Sequence, residues 1–186
     1  MIFAKLSLAA ALALGASALP QGSQSTTTSS ATPSSSSTPT PSGGGGGITI
    51  VNNLNTTVHL WSTSSTSGSN DMKSLTAGGG SSTETWQTTS DGGFSIKMST
   101  TQDQSSVLQF EYTNSGDELY WDLSSIDLDK DSAFVKGGFS ATADDDSCAA
   151  LTCAAGDADC AASYQKPDDK NTHSCSSTAA ITLTLG

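Results

Sequence analysis

The chain has 186 residues, with seven basic and eighteen acidic side chains, a formal charge of −11 and no arginine. Contacts to phosphate need clustered Lys and Arg, so this balance excludes nucleic acid as a partner and disfavours anionic membranes. The surplus of carboxylates confers solubility and leaves acids free to bind sugar hydroxyls or a cation.

Lys5 precedes the apolar run Leu6 to Leu14, which ends at Ala16, Ser17 and Ala18. A charged start, a short apolar stretch and a small-x-small end mark residues 1–18 as a removable secretory signal peptide, too short for the ~20 residues of a membrane span. Residues 19–47 are almost wholly Ser, Thr, Pro, Gly, Gln and Ala, closing on the run Gly43 to Gly47. Such a segment cannot bury enough apolar surface to offset its ordering entropy and is expected to be a disordered linker. It reads either as a plain spacer or as an O-glycosylated stalk.

Residues 48–186 suffice for one domain with its own core. Helix signals are weak, and strand signals recur. ITIV at 48–51 opens the domain, and TVHLWS at 57–62 follows a turn-like NNLN. Phe94, Ile96 and Met98 alternate with Ser95 and Lys97, the period-2 pattern of a half-buried strand. Leu108, Phe110 and Tyr112 share one face, and Gln109 and Glu111 take the other. Ile181, Leu183 and Leu185 alternate with Thr182 and Thr184 at the end of the chain. Short strands divided by Gly/Ser/Thr/Asp turns predict an all-β sandwich or barrel. Asn55-Thr56-Thr57 is an N-glycosylation sequon in one of those turns.

Cys148, Cys153, Cys160 and Cys175 all lie in the last quarter. An even number in a secreted chain predicts two disulfides, with three possible pairings. Zinc is disfavoured, because no C-x-x-C pair occurs. Asp127, Asp129 and Asp131 begin like a calcium loop, but Ser132 and Gly138 stand where that loop needs its glycine and its final acid, so no metal is expected. Trp61, Trp86, Tyr120 and Trp121 could stack on sugar rings or fill the core. Tyr120 and Trp121 are adjacent on a strand and must face opposite sides.

Four blocks carry a family resemblance: ITIVNNLNTTVHLW, ETWQTTSDGGFSIKMS, LQFEYTNSGDELYWDLSSID, and SCAALTCAAGDADCAASYQKPDDKNTHSC followed by ITLTLG. Together they resemble the small fungal thaumatin-like proteins, the yeast-phase-specific or antigenic thaumatin-like group. The resemblance implies an antiparallel β-sandwich with a short C-terminal disulfide-stapled lobe, and the pairs Cys148–Cys175 and Cys153–Cys160. It also implies an acidic cleft that binds β-1,3-glucan, with Glu111, Asp122 and Asp127 at the matching positions.

Two departures stand out. Leu54 replaces the family's first cysteine, and no terminal cysteine follows Leu185. The cleft arginine is missing, and Lys97 is the nearest substitute, without the bidentate fork. The expectation is therefore a secreted or wall-associated monomer that needs no cofactor and binds wall polysaccharide through an acidic face. Its alternatives are an antigen or elicitor recognised by a host protein, and a weak endo-β-1,3-glucanase using the paired carboxylates.

Overall fold

The computed structural model describes residues 46–64 and 68–186. The stretch read as a signal peptide and nearly all of the expected linker lie outside these residues. Two sheets pack face to face. One is five-stranded, in the order β4 (Gly80–Thr85), β1 (Gly47–Asn52), β11 (Ala180–Leu185), β8 (Phe139–Ala143) and β9 (Leu151–Cys153). The other is six-stranded, in the order β10 (His173–Ser176), β7 (Glu118–Ser124), β6 (Leu108–Ser115), β5 (Phe94–Ser99), β2 (Val58–Ser64) and β3 (Gly68–Leu75). Pairing is antiparallel except between β1 and β11, which run parallel in register from Gly47↔Ala180 to Asn52↔Leu185.

Alternation builds the core. Ile48 and Ile50 of β1 and Ile181, Leu183 and Leu185 of β11 point inward. They meet Leu60, Ile96, Met98, Phe110, Leu119, Trp121 and Leu123 from the other sheet. A ladder of aromatic contacts runs through this layer, with Phe110 against Trp121 at 5.6 Å and Phe94 against Tyr112 at 5.2 Å. The β6–β7 hairpin closes through Gly116 and Asp117, and Gly116 adopts φ 68°, the left-handed geometry that tight hairpin turns reserve for glycine. Among the described residues there is one short helix, α1 (Ala133–Gly137), capped by Ser132, whose Oγ accepts from the Val135 N–H.

Two polar groups stitch the layers. Glu84 on β4 accepts from Ser62 Oγ on both carboxylate oxygens, at 2.9 and 2.8 Å, and from Lys73 Nζ at 2.9 Å, so it ties one sheet to β2 and β3 of the other. Asn52 is fully buried. Its Nδ2 donates to the carbonyls of Thr56, Leu75 and Thr76, and its Oδ1 accepts from the Leu54 N–H. These bonds clamp the turn after β1 to the turn after β3. Asn52→Ala is expected to cost about 2 kcal/mol in urea unfolding, because it leaves buried backbone groups unpaired.

Leu54 is 6% exposed and packs in the core. A Cβ added at Gly137 would stand 2.4 Å from its Cδ2, which shows how closely the short helix sits over it. An apolar contact thus fills the place where the resemblance leads one to expect a cysteine. Cys148 is bonded to Cys175 and Cys153 to Cys160, and there are no free cysteines among the described residues. The first bond joins the loop after β8 to β10, the edge strand of the opposite sheet. The second closes the lobe that follows β9. Asn55 is exposed in the turn between β1 and β2.

Candidate functional site

The outward face of the six-stranded sheet carries the polar half of each strand's alternation. Antiparallel register lays these residues out in rows. Glu111 on β6 is directly opposite Asp122 on β7 and Ser95 on β5. One row away, Gln109 on β6 is opposite Lys97 on β5. On the other side, Thr113 on β6 is opposite Tyr120 on β7. Neighbouring strands are about 4.8 Å apart and successive rows about 6.7 Å. A groove of about 630 Å³ runs over these rows and is lined by Thr63, Ser95, Lys97, Gln109, Glu111, Thr113, Tyr120, Asp122 and Thr172, among others. Its volume falls within the range of small-ligand sites.

The electrostatics follow from burial and like charge. Glu111 and Asp122 are half-buried carboxyls in direct cross-strand opposition, and like charges so placed repel. Burial, and then the charge of Glu111, push the Asp122 carboxyl up to about 7. Burial also raises Glu111, while Lys97 and a hydrogen bond from Ser95 pull it back and Asp127 adds to the rise. At mildly acidic pH the pair therefore holds a proton on Asp122. The groove then offers a donor and an acceptor side by side.

Three of the four residues expected at the site, Glu111, Asp122 and Lys97, line the groove together. Asp127 is close enough to act on Glu111 through its charge but is exposed in the loop after β7 and does not line the groove. The run from Asp127 to Asp131 leads into α1: Asp129 accepts from the Ser132 N–H through its carbonyl, and its own N–H donates to Ser106 Oγ. Among the described residues, no three His, Cys, Asp or Glu side chains converge as metal ligands.

The aromatics divide clearly. Trp86 donates from Nε1 to the Ala179 carbonyl, Trp121 is 1% exposed in the core, and Trp61 is buried. Of these four aromatics Tyr120, 42% exposed, lines the groove, which Phe94 and the buried Tyr112 also border.

This two-sheet arrangement with its cysteine-stapled lobe is the fold of thaumatin-like proteins. It matches the protein elicitor MoHrip2 from Magnaporthe oryzae with a TM-score of 0.63 at 24% identity, over 75% of this chain and 98% of that one. The family model of Bys1, the Blastomyces yeast-phase-specific protein, matches residues 38–186, and the chain belongs to that family. It is 52% identical over 140 residues to the secreted thaumatin-like protein calA of Emericella nidulans, covering 75% of this chain and 80% of that protein. It is 36% identical over 129 residues to the antigenic thaumatin-like protein of Arthroderma benhamiae, covering 69% of this chain and 64% of that relative's length. Like calA, it is a secreted protein.

Proposed function

We propose that the protein binds β-1,3-glucan or a related wall polysaccharide through the groove on the six-stranded sheet, without cleaving it. The observation that carries this reading is the direct opposition of Glu111 and Asp122 on the groove floor, beside Lys97, Gln109 and Thr113. A neutral polyhydroxyl chain meets every one of these groups with a hydroxyl. The two carboxyls, side by side on adjacent strands, can each hydrogen-bond a sugar hydroxyl, and the ground for preferring binding to cleavage is the missing cleft arginine, for which Lys97 lacks the bidentate fork. Asn55, exposed in its turn, is proposed to carry an N-linked glycan.

The test is retention of the full chain on insoluble β-1,3-glucan, chitin and cellulose at pH 5.5, with reducing ends assayed in parallel. Selective retention on β-1,3-glucan is expected. Glu111→Ala/Asp122→Ala should weaken it ten- to a hundredfold, the worth of one or two hydrogen bonds to charged groups, and Asp127→Ala should weaken it far less. Equal passage of wild type and variant through every matrix would end this reading. Released sugar would instead make the protein a glucanase. A second reading, recognition by a host protein, draws on the name of the antigenic relative; a protein partner captured in the absence of any glucan retention would favour it.

A further inference from the structure

The carboxylate pair does not account for Tyr120. Exposed aromatics scattered singly over a surface need no explanation, but this one is neither scattered nor free. It stands two residues from Asp122 on β7, and so on the same face, one row from the carboxyl pair. Across the strands it is opposite Thr113, and it lines the groove with Thr113 and Thr172. Its hydroxyl donates to Glu118 Oε2 at 2.7 Å. Glu118 precedes it by two residues on the same strand, so this bond ties the ring along β7 and leaves the ring face as its available surface. A tyrosine held in that way offers a flat apolar plane whose polar tip is already satisfied.

We infer that Tyr120 is the stacking platform of a second sugar subsite, so that the groove takes a chain of at least two neutral, β-linked, gluco-configured pyranose rings rather than a single sugar. This rests on the carbohydrate reading above. One ring hydrogen-bonds to Glu111 and Asp122. The next lies with its C–H face on Tyr120, and the hydroxyls of Thr113 and Thr172 are at its edge. The step of about 6.7 Å between rows is on the scale of one ring. All substituents of a β-glucopyranose are equatorial, so both of its faces are C–H surfaces. Galactose and mannose each carry one axial hydroxyl, which leaves them one such face where glucose has two. The platform thus favours glucose in either orientation, and the acids supply affinity for its hydroxyls.

Calorimetric titration of the full chain with glucose and with soluble β-1,3-gluco-oligosaccharides of two to six residues tests this. Wild type, Tyr120→Ala, Tyr120→Phe and Glu111→Ala/Asp122→Ala would be compared at pH 5.5. Tyr120→Ala should weaken binding of the longer oligosaccharides roughly three- to tenfold, the usual worth of an aromatic contact, and leave binding of glucose unchanged. Tyr120→Phe should stay within about twofold of wild type, because it keeps the ring. An exposed site leaves the thermal midpoint unchanged in both variants, which serves as the control for folding. Wild-type affinity in Tyr120→Ala, alongside lost affinity in the double variant, would overturn the platform and leave the carbohydrate reading standing. Equal weakening in Tyr120→Ala and Tyr120→Phe would also overturn it, since the hydroxyl and not the ring would then matter. Absence of binding by wild type to every oligosaccharide would remove both.

Discussion

Asp122→Asn raises the stability of the protein at pH 8 and leaves it nearly unchanged at pH 4. Asp122 is pushed up to about 7 in the folded chain by burial and by Glu111, whereas in an unfolded chain an aspartate titrates near 3.9. Between those two values the folded state holds a proton that the unfolded state has released. Stability therefore falls as pH rises through this window, and the penalty is complete above about pH 7. This is the reverse of the usual aspartate, whose native pKa is depressed. At ~1.4 kcal/mol per unit the shift corresponds to a ceiling of about 4 kcal/mol. Water entering the open groove screens part of it, leaving about 2 kcal/mol. Asparagine has no charge to lose at any pH and escapes the whole penalty. Urea unfolding of wild type and variant at pH 4, 6 and 8 would show the difference opening with pH. A difference of the same size at all three values would mean that the carboxyl pair is not strained.

Cys148→Ser/Cys175→Ser costs about 3.6 kcal/mol, and Cys153→Ser/Cys160→Ser about 2.4 kcal/mol, by the loop-closure entropy for separations of 27 and 7 residues. Position adds to the contrast. The longer loop ties the β8–β9 connection to β10, an edge strand of four residues that pairs only with β7 in its sheet. Without the tether, β10 leaves the sheet readily, and with it goes the cover on Trp121, whose ring lies 4.9 Å from His173. Denaturant midpoints of the two double variants should rank in that order. Proteolysis of the native state should open the Cys148 variant first, near β10. Equal midpoints would mean that the edge strand holds by its hydrogen bonds alone.

The strands that the sequence announces are those with one apolar face: β1, β2, β5, β6 and β11, whose inward residues recur with period 2 and end up in the core. Among the strands it conceals are two edges, β4 and β10. GSSTET in β4 and HSCS in β10 bury little on either face, so neither alternation nor apolar runs betray them. They become strands because a neighbour supplies the hydrogen bonds, which is a tertiary decision. The two-residue turn at Gly116 is a local signal of the β6–β7 hairpin and fixes the register that sets Glu111 against Asp122. Residue type and resemblance pick out Glu111, Asp122 and Lys97. Which acids converge depends on that register, and it leaves Asp127 in the following loop. Adjacency on a strand says that Tyr120 and Trp121 part company. Only the packing of Phe110 on one side and His173 on the other decides that Trp121 goes in.

The parallel pairing of β1 with β11 also governs the order of events as the chain folds. β1 is the first strand of the domain, and it lies between β4 and β11, the last strand. The contacts that define the middle of that sheet thus span more than a hundred residues of sequence and cannot form until residues 180–185 have been made. Local hairpins such as β6–β7 can close early, because their loops are short. The five-stranded sheet must wait, and folding dominated by such distant pairings is slow. A chain that stays open until its end is complete is one that can be threaded through a membrane before it closes. The disulfides, all of them carboxy-terminal, then form after the crossing, where thiols are oxidised.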